Sequence, residues 1–156
     1  MSSTTAEARK AVKHALSPHL VVDGAAKAID FYKEAFGAEE MIRLPGKDGK
    51  LLHAAVSING AVVMLVDEMH DCGMLGPKSL KGTPVTLTLD VEDVDHFVER
   101  AVKAGATLTM PVADMFWGDR YGVIEDPFGH RWAILTHQRD MTEAELKEAA
   151  KQAMGT

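Results

Sequence analysis

A short strand, an amphipathic helix and a run of further strands occur in that order twice in this chain, and this repetition restricts the fold more than any other feature. In the first half, residues 20–23 read as an apolar strand that runs into a helix over residues 24–37. Ile29, Tyr32 and Phe36 share one helical face, and Gly37 is placed to end the helix. In the second half, residues 85–90 alternate as a strand, and the helix of residues 91–104 carries Val94, Phe97 and Ala101 on one face before Gly105 stops it. Three strands are expected after each helix: residues 38–44, 51–58 and 61–67, then 107–112, 120–125 and 130–136. Residues 45–49 supply one turn, and Asn59-Gly60 is a strong two-residue hairpin signal.

The plan is therefore βαβββ twice, an α+β fold in one domain over residues 17–137. Module one spans residues 17–70, a glycine-rich linker spans residues 71–82, and module two spans residues 83–137. The spacing of equivalent residues differs between the halves, so the repeat is architectural and not a copy of sequence. Residues 1–16 read as an N-terminal helical arm. Residues 138–156 hold a C-terminal helix opened by the capping box Thr142-Glu143-Ala144-Glu145. Both flanking helices are read as packing elements, with dimer arms or simple lids as the alternatives.

Charge and apolar content narrow the partners. A formal charge of -6 and the lack of a Lys/Arg run argue against nucleic acid, whose binding draws on cationic side chains. No apolar stretch approaches the ~20 residues that cross a bilayer, and the polar start Met1-Ser2-Ser3-Thr4-Thr5 lacks a signal-peptide core, so no membrane partner and a cytoplasmic location are expected. Cys72 is the single cysteine, which precludes an internal disulfide and agrees with a reducing compartment.

Residues 117–132 read as two strands joined by Asp126-Pro127-Phe128-Gly129, and this stretch resembles the C-terminal hairpin of the vicinal-oxygen-chelate superfamily. That superfamily includes glyoxalase I, extradiol dioxygenases, fosfomycin-resistance transferases and bleomycin-binding proteins. With the opening Ser17-Pro18-His19-Leu20-Val21-Val22 and the helix Ala28-Ile29-Asp30-Phe31-Tyr32, the chain is similar to the PhnB-like, glyoxalase-related branch. The resemblance implies paired βαβββ modules forming a cupped, curved mixed β-sheet. Metal-dependent members hold a divalent ion in that cup with His, Glu or Gln from four strands. Carried onto this chain, the four ligand positions fall at Ser17, Met64, Pro84 and Ala133, which should converge in one cavity. A thioether is too soft for Mg, Mn, Fe or Ni, and proline and alanine side chains have no lone pair, so no metal and no other cofactor are predicted. His19 is the one route to a divalent site, because it follows Ser17 by two residues on the same strand face.

Ligand-lining residues follow from strand parity and from where the aromatics gather. With Pro84 facing into the cup, Thr86 and Thr88 face in as well, while Val85, Leu87 and Leu89 face the helix. Met64, with Val62 and Val66, supplies a soft apolar wall. His53 points either into the cup or to solvent, and His19 is either a satisfied polar side chain or a ligand contact. Phe116, Trp117 and Tyr121 concentrate rings at a loop-to-strand junction, which suits a planar aromatic ligand. Trp132, opposite in parity to Ala133, belongs in the core. Asp119 and Arg120 either pair or read a charged ligand; His14 and His130 are expected to be exposed, and His70, His96 and His137 to be structural or solvated.

Two functions fit. The first is a metal-free small-molecule binding protein of the glyoxalase/bleomycin-resistance type, holding an aromatic or amphipathic ligand in the cup of a homodimer. The second is a lyase, isomerase or dioxygenase, either metal-dependent or using His19 or His53 as a base. A Gly-x-Ser-x-Gly elbow, a base for Cys72, a Lys-Ser/Thr ending to the turn at residues 45–49 and a methyl-donor cofactor signature are all missing from the sequence.

Overall fold

The computed structural model describes residues 16–155, so the expected helix at residues 1–16 lies outside the described residues but for Leu16. The first module runs β1 (His19–Val22), α1 (Ala25–Phe36), β2 (Glu39–Pro45), β3 (Leu51–Ile58) and β4 (Ala61–Asp67). The linker, read from sequence as a loop, carries a 3-10 turn (His70–Cys72) and the one-turn helix α2 (Pro77–Leu80). The second module runs β5 (Thr86–Asp90), α3 (Val94–Ala104), β6 (Thr107–Asp114), β7 (Asp119–Glu125) and β8 (Arg131–His137), and α4 (Glu143–Met154) follows. The sheets are β1-β4-β3-β2 and β5-β8-β7-β6. In each, the first strand lies parallel to the last and the other pairs are antiparallel.

The same local device starts both long helices. Gly24 offers α1 no side-chain cap, so Asp67 at the end of β4 does the work: its Oδ1 accepts from the Gly24 and Ala25 amides at 2.8 and 2.9 Å, and its Oδ2 accepts from the Leu51 amide at 2.7 Å. In the second module Thr136 near the end of β8 accepts from the Val94 amide at 2.9 Å, and Asp93 accepts from the His96 amide at 3.1 Å. Asp93 is extended, which is why α3 begins at Val94 and not at Val91. Gly37 ends α1 in the left-handed region at φ 66°, where a side chain would be strained.

α1 and α3 pack against each other between the two sheets. Leu20, Val22, Val56 and Leu65 from the first sheet and Leu89, Ile124, Trp132 and Ile134 from the second close on this helical layer as one core. Phe36 meets Trp132 at 4.9 Å and stacks with Phe97 at 5.3 Å, so aromatic rings join the modules. A buried carboxylate fixes their register. Asp126 Oδ2 accepts from the Tyr32 hydroxyl at 2.6 Å and from Trp132 Nε1 at 2.9 Å, while Oδ1 accepts from the Phe128 and His130 amides. Burial, reinforced by the Asp126 charge and hydrogen bond, pushes the Tyr32 phenol well above its ordinary 10.0.

Two sequence expectations are revised. His130 is half-buried, not exposed, because its Nε2 lies 3.0 Å from the Val21 carbonyl oxygen and ties the β7–β8 turn to β1. α4 begins on the expected Thr142/Glu145 capping box but among the described residues makes no extensive contact with another helix or strand, its face carrying Leu146, small alanines and an exposed Met154. Edge strands β2 and β6 are irregular, with register shifts between Glu40 and Ile42 in β2 and between Leu108 and Met110 in β6. No helix among the described residues is long and apolar enough to cross a membrane.

Candidate functional site

Because the inner face of each sheet is spent on the shared helical layer, the candidate ligand face is the outer one. On the first sheet, core burial of Leu20, Leu65 and Val56 turns His19, Met64 and Ala55 outward. Pairing aligns them: His19 opposite Met64, Met64 opposite Ala55, and Ala55 opposite Ile42. His53 stands on the same face opposite Leu44, half-buried, with its ring edge-on to His19 at 5.9 Å. Neither imidazole has a hydrogen-bond partner among the described residues, so no carboxylate orients a base there.

On the second sheet, burial of Leu89, Trp132 and Ile134 turns Thr86, Thr88, Arg131, Ala133 and Leu135 outward. One row reads Thr88, Ala133, Val123, Met110, and the next reads Asp90, Leu135, Tyr121, Ala113. Trp117, in the β6–β7 loop, meets Tyr121 at 5.3 Å and Phe116 at 5.0 Å, both edge-on. At that end His137 Nδ1 lies 2.8 Å from Asp119 and Nε2 lies 2.7 Å from Asp140; these hydrogen bonds raise its pKa above the ordinary 6.5. Arg120 turns to the other side, pairing with Asp95 at 2.7 Å and Asp114 at 3.1 Å, an arrangement that holds the Asp95 carboxyl below its ordinary range.

The eight predicted lining residues thus divide into two groups. His19, His53 and Met64 share the first outer face, whereas Thr86, Thr88, Tyr121, Trp117 and Phe116 belong to the second. Ser17, Met64, Pro84 and Ala133 do not meet in one cavity within a single chain, because the helical layer separates the two sheets. Ala55 alternates with His53 as the sequence reading has it, whereas Val123, paired with Ala133, and Leu135, two residues beyond it, were omitted. Ile42 and Met110 carried no such signal, since a bulge reverses parity just before each.

The family model described as the Glyoxalase/Bleomycin resistance protein/Dioxygenase superfamily matches residues 11–134. The chain belongs to this superfamily. The Mycobacterium bovis protein Mb0911c, 54% identical over 141 residues, is matched across 88% of this chain and 93% of its own length. Among solved structures, TioX from Micromonospora sp. ML1 is 26% identical with a TM-score of 0.64, over 80% of this chain and 98% of TioX. The PhnB protein of Bacillus cereus, at 19% identity and a TM-score of 0.59 over 79% of this chain and 99% of its own, shares the fold.

Superfamily membership makes the donor set the decisive chemistry. Outward-facing Met64 and Ala133 offer a thioether and a methyl group where metal-dependent members need hard oxygen or imidazole donors. Among the described residues, no three His, Cys, Asp or Glu side chains gather as a group. The residues at these positions do not fit the divalent ion that such members hold.

Proposed function

We propose that this superfamily member is a cytoplasmic, metal-free binding protein for a small aromatic molecule, held between the first outer face of one copy and the second outer face of another. The observation that carries this reading is the back-to-back packing of the sheets, which leaves each half of the candidate site open. A second copy supplies what one chain lacks. Ile42, Leu44 and Met110 are 45%, 47% and 39% exposed on these faces, apolar area of the kind that a ligand or a partner covers.

The supporting chemistry is recognition without turnover. Trp117, Tyr121 and Phe116 present ring edges and faces to a planar ligand, Met64 adapts to its outline, and Thr86, Thr88, His19 and His53 offer directional polar contacts. The experiment combines light scattering, elemental analysis and a thermal-shift screen against planar aromatic antibiotics. A dimer without stoichiometric divalent metal is expected, stabilised by an aromatic compound and no longer so in Trp117→Ala. Ligand at one hundred times Kd adds about 2.7 kcal/mol. Stoichiometric metal that is lost in His19→Ala would overturn the proposal in favour of a metal-dependent enzyme.

A further inference from the structure

The linker meets the second sheet at a contact that only glycine permits. A Cβ at Gly129 would stand 2.8 Å from Pro77 Cβ, so the β7–β8 turn is pressed against α2 more closely than any other residue allows. This approach forms a cavity of about 260 Å³ and places Arg131, two residues beyond the turn, in the same wall as Lys78 and Lys81. Glu125 is its one acidic lining residue, and Thr83 adds a hydroxyl.

Three exposed cations, Lys78, Lys81 and Arg131, line this cavity in a chain whose formal charge is -6. Elsewhere Lys33, Arg43, Lys103, Arg120 and Lys147 pair with a carboxylate, while exposed lysines such as Lys47 and Lys50 stand alone among the described residues and do not share a cavity with other cations. Lys78, Lys81 and Arg131 pair with none among the described residues, and Glu125, although directly opposite Arg131 across the strands, makes no ion pair with it. Lys81 also occupies the C-cap of α2 at φ 59°, a left-handed position that glycine fills at less cost.

We infer that this cavity binds a small phosphate-bearing anion. A planar guanidinium grips two oxygens of a tetrahedral oxyanion, and two ammonium groups supply point charges around the rest. The volume lies below the roughly 300–1,000 Å³ of sites for drug-sized ligands, so the occupant is a compact phosphate compound. Arg131 stands beside Thr86 at the edge of the second outer face, so the site borders the aromatic one, and the variants below read it separately.

The test titrates the full-length protein with inorganic pyrophosphate at low ionic strength, with malonate as a carboxylate arm, and reads amide chemical shifts and heats of binding. Shifts centred on residues 77–83 and 129–131 are expected. Arg131→Gln and the Lys78→Gln/Lys81→Gln pair should each weaken pyrophosphate binding about tenfold. Glu125→Gln should tighten it about threefold by removing a like charge. Lys50→Gln, an exposed lysine in the β2–β3 turn, should change it by less than about twofold. Diffuse shifts, an unchanged affinity in Arg131→Gln, or equal weakening by Lys50→Gln would overturn the site. Malonate bound as tightly as pyrophosphate would overturn the phosphate assignment.

Discussion

Tyr32→Phe is the sharpest probe of how the two modules are held together. The substitution keeps the ring that packs at 5.6 Å from Trp132 and at 5.6 Å from Phe36, so no cavity opens. What is lost is the 2.6 Å hydrogen bond to Asp126 Oδ2. A hydrogen bond to an ionised group contributes about 1.5–3 kcal/mol, and Trp132 Nε1 still donates to the same oxygen, so a loss of about 2 kcal/mol is expected. For a chain of this size that lowers Tm by about 4–8 °C. Urea unfolding followed by tryptophan fluorescence should move to a lower midpoint with an unchanged slope. The pH dependence adds a second signature. The folded chain holds the Tyr32 proton more tightly than the unfolded chain, so this stabilisation is complete below the ordinary 10.0 and drains away as pH rises toward the folded value. Phenylalanine does not ionise, so the gap between wild type and variant should narrow above pH 10. A loss under about 0.5 kcal/mol, the scale of an ordinary surface change, would refute the claim that this bond locks the modules.

Asp67→Ala strands three backbone amides at the start of α1 and β3, so a loss of about 3 kcal/mol is expected, with Asp67→Asn recovering part of it; equal stability of Asp67→Ala and wild type in urea would contradict the capping role. His137 should titrate above 6.5 by NMR and shift downward in Asp119→Asn. Because its folded pKa is raised, the pair stabilises below 6.5 and fades as pH rises through the folded value; a titration unmoved by Asp119→Asn would show that the contact does not form in solution. Thr142→Ala should loosen α4 by about 1 kcal/mol in hydrogen exchange and leave the global melt unchanged, whereas a lowered global Tm would mean that α4 docks on the body.

Strand and helix order was readable because both signals are local. Tyr32, Phe36 and Ile29 repeat at helical spacing, and alternation in β5 and β8 separates Leu89 and Trp132 from Thr88 and Ala133. The expected bounds of β3 and β4 agree with the structure, as Asn59-Gly60 fixes the turn between them. Features that join distant segments left no such trace. Asp67 caps a helix more than forty residues earlier, and His130 reaches Val21 across the module boundary. Neither follows from spacing, because each depends on how the sheets close on α1 and α3. The strand faces of the candidate residues were legible in the sequence, but not their division between two sheets. That division depends on the common core claiming the inner side of both sheets.

The irregular outer strands carry a consequence for solubility. β2 and β6 interrupt their ladders with bulges, and Pro45 and Pro111 remove an amide from each. A foreign strand finds no continuous row of donors and acceptors along either border. The regular borders are β1 and β5, only four and five residues long. Lateral growth into fibrils is thereby blocked on one flank of each sheet, although β2 and β6 carry exposed Ile42, Leu44, Leu108 and Met110.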